Sequence, residues 1–420
     1  MSIKGIIGGF CMSTEFFEEL FANRIGGKNF GKGNDIFKFE KIKRAKKEAM
    51  ERFPNMELID LGVGEPEFGA SKEIVDILSI EAKSLRNRKY ADNGIDEFKE
   101  AAINYLEKVY KVYGLNYEKN VVHGIGSKSI LAMLPLCLIN SGDIALVTVP
   151  GYPILGSSTR YLGGEVYELP LYEKNGYLPD LDNIPEDILK KAKVLYINYP
   201  NNPTGAVATR EFYKSVVDFA KKNNILVVQD AAYASINFDN EPLSFLSVEG
   251  AIDVGVEIHS LSKAFNMTGW RLAFIVGHEK IIDAFKMVKD NNDSGQFRAI
   301  QKAGVYALNH PEITKNNCIE YSKRMDLLVD ALREVGFEAK KPKGSFYIYV
   351  KSPKGAGDTI FKNAEEACEY LLVNALISTV PWDEVGSYLR FSVTFESYER
   401  GAESIINELK ARLLKLKLFF

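Results

Sequence analysis

The sequence predicts an α/β protein. A large domain with a mostly parallel central sheet covered by helices is joined by a smaller α+β domain built from the N- and C-terminal segments. Three observations predict this. Between about residues 120 and 277, short runs of Ile, Val, Leu and Thr alternate with helical stretches. Those runs are continuously apolar rather than alternating, the mark of strands buried on both faces. After about residue 280 the pattern turns mainly helical and then closes with a short strand-bearing region. At about 150 residues per domain, the 420 residues allow two or three domains, or one large domain with a smaller partner.

Taken in order, residues 1–12 read as a disordered leader. They hold one lysine, a very short apolar run and no small-residue cleavage site, so they are not a secretory signal, and Met12 is an alternative start. Residues 38–52 read as a charged helix with one apolar edge; its interspersed acids make it a solvated face rather than a phosphate or membrane patch. Strands are expected at 145–149, 194–198, 225–229, 254–258 and 272–276, with helices such as 127–139 and 209–223 between them. A long amphipathic helix is expected over 311–335, strands near 346–350 and 388–393, and a last helix over 397–416. These elements divide the chain into a large domain over 66–306 and a small domain made of 13–65 and 307–420.

Composition excludes several function classes. Lys and Arg number 53 against 56 Asp and Glu, a formal net charge of −3, which lacks the basic stripe a nucleic-acid binder needs. Cys11, Cys137, Cys318 and Cys368 are far apart with no Cys-x-x-Cys spacing, so neither a disulfide framework nor a zinc site is expected, and a reducing cytoplasm fits. His123, His259, His278 and His310 show no metal-ligand spacing, so no metal is expected. No apolar stretch reaches the ~18 residues of a membrane span.

In open α/β sheets, ligands sit beyond the carboxyl ends of the strands. The polar residues there are Asn201-Asn202-Pro203-Thr204-Gly205, Asp230-Ala231-Ala232-Tyr233 and Ser260-Leu261-Ser262-Lys263, with Gly269-Trp270-Arg271 following. Taken singly, Asp230 is a strand-end turn residue, Lys263 a surface lysine, Arg271 a salt-bridge partner and Asn-Pro-Thr-Gly a turn. Four independent turns are not expected to gather a lysine, an aspartate, an arginine and hydroxyls at one end of a sheet. An aromatic aldehyde carrying a phosphate and a pyridine nitrogen requires that set: an amine for the aldehyde, an acid for the ring nitrogen, a cation and hydroxyls for the phosphate.

With these motifs in this order, the chain from about 58 to 395 resembles the class I/II aminotransferases, enzymes of pyridoxal-phosphate fold type I. The resemblance implies pyridoxal 5′-phosphate as cofactor and a role for each matching position. Lys263 would form the Schiff base and shuttle the α-proton. Asp230 would keep the ring nitrogen protonated, and Tyr233 and Asn202 would hydrogen-bond the ring oxygen. Tyr152, in Pro150-Gly151-Tyr152-Pro153, would stack on the ring. Gly126, Ser127 and Lys128 at a helix start, with Ser260, Ser262 and Arg271, would hold the phosphate. Tyr90 would reach the phosphate of a neighbouring subunit, which implies a homodimer with shared active sites. Arg390, in Leu389-Arg390-Phe391-Ser392, would grip the substrate α-carboxylate, helped by Gly64 and Asn202.

Within the family, the stretches 58–66 and 259–271, and 293–297 with 299–301, resemble the branch that acts on LL-2,6-diaminopimelate. The implied reaction exchanges an amino group with 2-oxoglutarate, and the implied partners are a small amino acid and an oxo acid, with no nucleic acid and no membrane. Asp92 and Lys128 are candidates for the distal end of such a substrate, on loop position alone. Two departures stand out: Arg298, where Asn or Gln is expected, and the continuation Glu67-Phe68-Gly69 after Glu65-Pro66. The rival readings are an aspartate or aromatic amino-acid aminotransferase, a C–S lyase of the same fold, and a regulatory protein with a borrowed fold.

Overall fold

The structure, a computed structural model, describes residues 14–31, 38–238 and 241–420. The expected leader at 1–12 lies outside the described residues. Two compact units are present, one ending at Glu48 and one running Ala49–Phe420. The first holds a short helix, Thr14–Glu18, and two single-turn helices, Asn23–Ile25 and Gly27–Asn29, with the Phe21 and Phe30 rings 4.8 Å apart. The expected charged helix at 38–52 forms over Lys38–Arg52.

The second unit is built on a seven-stranded sheet. Its strands are β1 (Val121–Gly124), β2 (Ile144–Val149), β3 (Glu165–Pro170), β4 (Ala192–Asn198), β5 (Leu226–Asp230), β6 (Gly255–Ser260) and β7 (Ala273–Gly277). Their spatial order is β1-β7-β6-β5-β4-β2-β3. All pairings are parallel except the two made by β7, which runs against both β6 and β1. Both faces of the central strands are covered: β5 and β6 are buried almost throughout, although they also carry the buried polar residues Gln229, Asp230, Glu257 and His259. One apolar cluster packs helices carrying Phe98, Leu106 and Val216 onto the sheet, and a second packs Ile130, Leu134 and Phe285. Two strands were not legible as apolar runs. β3 lies at the edge, and only Leu169 of its six residues is buried. β1 is four residues long and contains His123.

The helices follow from their stripes and caps. In Arg210–Asn223 the buried residues Phe212, Tyr213, Val216, Val217 and Ala220 form one face, and the Thr209 hydroxyl accepts from the Phe212 N–H at 3.1 Å to start the helix. Asn224 ends it in the left-handed conformation. The long helix Glu312–Val335 forms as expected. The last helix begins at Ala402 rather than 397, because Ser397 is engaged elsewhere.

A smaller antiparallel sheet holds β8 (Tyr347–Lys351), β9 (Val380–Trp382) and β10 (Tyr388–Ser392) in the order β9-β10-β8. Its cluster joins Ile59 and Leu61 to Met325, Leu328, Phe391 and Leu409. Among the described residues no helix is long and apolar enough to cross a membrane, and no group of His, Cys, Asp or Glu could hold a metal ion.

Candidate active site

Asp230 is the last residue of β5 and is buried. Its Oδ1 accepts from the Ala232 N–H at 3.2 Å and its Oδ2 from the Tyr196 hydroxyl at 3.1 Å. Burial pushes its carboxyl up to about 6, against the pull of the Ala232 N–H, the Tyr196 hydroxyl and the charge of His259. The next strand, β6, ends at Ser260, whose hydroxyl caps the four-residue helix Leu261–Ala264 by accepting from the Ser262 N–H at 3.2 Å. That helix carries Lys263. The Lys263 Nζ donates to the Gly64 carbonyl at 2.5 Å. Burial is the main cause that lowers its ammonium to about 8; Glu65 opposes this, and Arg271 and Arg390 add to it.

Arg271 lies just before β7, in the left-handed conformation with φ 55°. Its Nη1 donates to the Thr268 carbonyl at 2.8 Å and to the Ser262 hydroxyl at 3.3 Å. The guanidinium lies against Gly126, where any Cβ would collide with it. Gly126, at φ 76°, leads directly into the helix Ser127–Leu138. The guanidinium, a helix N-terminus and two serine hydroxyls are thus gathered into one anion-favouring cup. Ser127 and the exposed Lys128 stand in the first turn of that helix.

Arg390, on β10, is among the most buried large side chains. Its Nη1 donates to Asn202 Oδ1 at 2.9 Å and its Nη2 to the Gly62 carbonyl at 2.9 Å. Its Nε is buried with no acceptor among the described residues. The guanidinium stacks over the Tyr347 ring at 4.1 Å. The Tyr347 hydroxyl meets that of Tyr233 at 2.9 Å. A Cβ on Gly64 would stand 2.6 Å from the Tyr347 hydroxyl, so only glycine lets the chain pass here. Tyr152 is partly buried; burial first, then the nearby Asp230 carboxylate, raises its phenol to about 12.

Most of the expected residues are therefore brought together: Lys263, Asp230, Arg271, Ser260, Ser262, Gly126, Asn202, Tyr233, Arg390 and Gly64 are linked by contacts, and Tyr152 lies within electrostatic reach of Asp230 and Arg271. Tyr90 and Asp92 stand apart. Tyr90 is 77% exposed, and the structure holds their backbone rather than their side chains. Arg298 donates from Nε and Nη2 to the Tyr90 carbonyl at 3.1 and 2.6 Å, and Lys289 donates to the Asp92 carbonyl at 2.5 Å. His259 packs flat on Phe274 at 5.0 Å, away from any direct contact with the cluster. Sequence reasoning missed Tyr196, Tyr347 and Glu65, whose places depend on strand register and loop path.

The donor set fits pyridoxal 5′-phosphate. A buried carboxylate carried above its ordinary range calls for a cation such as a pyridinium nitrogen. The cup of Arg271, Ser262 and the Ser127 helix start calls for a phosphate, and a lysine with a lowered pKa calls for an aldehyde.

A family model described as "Aminotransferase class I and II" matches residues 56–405. Two curated relatives are named LL-diaminopimelate aminotransferase. The one from Methanocaldococcus jannaschii is 56% identical over 414 residues, covering 96% of this chain and 99% of the relative. The one from Methanococcus maripaludis is 52% identical, with 96% and 99% covered. Among solved structures, a substrate-bound BacF structure from Bacillus subtilis superposes with a TM-score of 0.87 at 35% identity, covering 96% of this chain and 99% of that one. The enzymes of this family use pyridoxal phosphate, and it is the cofactor here. On the family match and on these near-full-length likenesses, the chain belongs to the class I and II aminotransferases.

Proposed function

We propose that the chain exchanges an amino group between LL-2,6-diaminopimelate and 2-oxoglutarate, giving glutamate and, after cyclisation, tetrahydrodipicolinate, a step of lysine biosynthesis. The observation that carries the choice of substrate is the likeness, over nearly its whole length, to proteins with that activity in their names.

When bound, the cofactor supplies an aldehyde that condenses with amines and a cationic ring that withdraws electrons from the substrate α-carbon. The chain's own residues do the rest. With its pKa near 8, the Lys263 Nζ is neutral in a useful fraction of molecules at ordinary pH. It would therefore be available as the amine for an aldehyde and as the base for the substrate α-proton. The Asp230 carboxylate, oriented by its Tyr196 and Ala232 donors, would keep the ring nitrogen protonated. Arg271, Ser260, Ser262, Gly126, Ser127 and Lys128 would hold the phosphate. Tyr152 would cover the ring face, and Tyr233 and Asn202 would donate to the ring oxygen.

Arg390 takes the α-carboxylate in a paired contact, held in line by Asn202, the Gly62 carbonyl and the Tyr347 ring, with Gly64 beside it. Tyr90 and Asp92 serve the site of a second copy, Tyr90 at the phosphate and Asp92 with Lys128 at the distal end of the substrate. The exposed Tyr90, Leu85 and Phe297 side chains support such a homodimer. The division into a large domain over 66–306 and a small one from 13–65 and 307–420, and a cytoplasmic location, belong to the same reading. The apolar cluster joining Ile59 and Leu61 to residues of 321–413, which also takes in Tyr233 and Ile236, supports the small domain from residue 59 onward.

A screen of amino donors with 2-oxoglutarate tests the proposal. LL-diaminopimelate is expected to exceed the meso isomer, aspartate and tyrosine in kcat/KM by at least about tenfold. Preference for aspartate or tyrosine would move the reading to that rival. Pyruvate and a thiol released from a β-thio amino acid would move it to the lyase.

A further inference from the structure

Residues 61–68 form a strap across the site that is tied down at Leu61, Gly62, Gly64 and Glu67. Leu61 is held by the Ser378 carbonyl at 2.9 Å and by the Ser392 N–H at 2.8 Å. Next come the two carbonyls that receive the working cations: Gly62 from Arg390, and Gly64 from Lys263. The far end is fixed by Glu67, which opens the unusual continuation Glu67-Phe68-Gly69. Its carboxylate is buried. Oε1 accepts from the Ser397 N–H at 2.6 Å and from the Ser397 hydroxyl at 2.9 Å. Oε2 accepts from Arg324 Nη1 at 2.5 Å. The Glu67 carbonyl accepts from the Tyr398 hydroxyl.

Arg324 is itself buried and fully engaged. Its Nη2 reaches the Ser397 hydroxyl at 2.9 Å, its Nη1 the Val393 and Phe395 carbonyls at 3.3 Å, and its guanidinium lies 5.0 Å from the Phe68 ring centre. Two opposite charges withdrawn from water are costly unless each is paired and hydrogen-bonded, and here both are. None of these groups touches Lys263 or Arg390, yet the strap they anchor supplies both with an acceptor.

We propose that Glu67 and Arg324 form a latch that positions the strap, and that the latch sets the affinity of the site for the substrate carboxylate by holding the Gly62 carbonyl against Arg390. Glu67 is a positioning residue that acts through Gly62 and Gly64. The inference rests on the reading of Arg390 as the carboxylate site. When the latch slackens, Arg390 loses one of the two acceptors that hold its fork in plane, and the bidentate contact is weakened. The phosphate cup, formed by Arg271, Ser262 and the Ser127 helix start, shares no residue with the strap and stays intact.

The test uses the cofactor-loaded enzyme and glutarate, a dicarboxylate that cannot react. Glu67→Gln is expected to weaken glutarate binding about tenfold by calorimetry and to raise KM to match, with kcat within about threefold. The affinity for pyridoxal phosphate, measured by reconstitution of the apoprotein, should stay within about twofold. Ser397→Ala and Tyr398→Phe remove one donor each without leaving a charge unpaired, and should weaken glutarate binding in the same direction by about two- to fivefold. They keep the test open if Glu67→Gln does not fold. Unchanged glutarate affinity in the folded variants overturns the latch. So does an equal fall in cofactor affinity, which marks general loosening. Arg390→Leu separates the two levels: if it abolishes glutarate binding while the latch variants do not alter it, the latch alone fails. If Arg390→Leu has no effect, the reading of Arg390 fails and the latch with it.

Discussion

Asp230 stands where its own charge is disfavoured. An aspartate whose folded pKa lies near 6 rather than 3.8 binds its proton more tightly folded than unfolded. The apoprotein therefore has the full benefit of this group below pH ~4 and loses it as the pH rises through 6, by up to ~3 kcal/mol at neutral pH. Asp230→Asn should then make the apoprotein more stable than the parent at pH 7, with the gap closing below pH ~4, as read by denaturant melts. The same change should cut kcat of the loaded enzyme by at least about 10²-fold, since no carboxylate remains to hold a ring nitrogen protonated. Lys263 gives a second prediction. With its ammonium lowered to about 8 by burial, its modification in the apoprotein by an amine-directed reagent should rise through a midpoint near pH 8, whereas exposed lysines rise near ~10.4. Asp230 and Lys263 were legible because each stands at or just after the end of an apolar run, where a ligand meets an α/β sheet, and Arg271 because Gly-Trp-Arg follows them closely in sequence. Tyr347 and Tyr196 were not. What makes them part of the site is strand register and the bonds it permits, with Tyr347 opposite Ser392 and Tyr196 within reach of Asp230.

At the scale of elements, the loop 90–95 shows why a departure from an expected residue need not be a loss. Arg298 grips the Tyr90 carbonyl, Lys289 the Asp92 carbonyl, the Asn93 amide donates to Asp290 at 2.9 Å, and the Gln301 side chain accepts from the Ile95 N–H at 2.8 Å. Arg298, expected as Asn or Gln, fixes the loop of its own chain with two donors, a task its longer planar fork suits. Lys289 carries the heavier load. Its ammonium is wholly buried and also bonds Asp293 at 2.5 Å. Lys289→Met would leave the Asp293 carboxylate without its cation, and is expected to cost about 3–5 kcal/mol of unfolding free energy, measured with denaturant. Arg298→Ala, more exposed, should cost under about 1 kcal/mol in the same measurement. These side chains come from a helix end and from the start of the helix Arg298–Asn309. Their meeting with the loop spans some two hundred positions of sequence, so no local pattern announces it. The strands were legible where a buried apolar run is long enough, and illegible at β1, four residues with His123 among them, and at the edge strand β3, of which only Leu169 is buried.

For the molecule as a whole, the parallel run of the sheet was legible because strand, helix and strand recur, and right-handed crossovers leave few other arrangements. The reversal of β7 was not, since an antiparallel strand buried on both faces reads in sequence like a parallel one. It matters to the candidate site: the turn from β6 back into β7 carries Lys263 and Arg271 within one short excursion, so the amine and the guanidinium share a single support. Tyr90 has no such tie to that support. Its ring points to solvent while its backbone is held firmly, which is the arrangement of a side chain offered to another molecule. If the recipient is a second copy, each active site draws Lys263 from one chain and Tyr90 from the other. Two inactive variants, Lys263→Ala and Tyr90→Ala, should then complement each other. Random reassortment makes half the dimers mixed, and each mixed dimer holds one site free of both changes, so about a quarter of the parent activity should return on mixing under exchange conditions. Activity that stays at the level of the separate variants, with exchange verified by mass, would place Tyr90 in the site of its own chain.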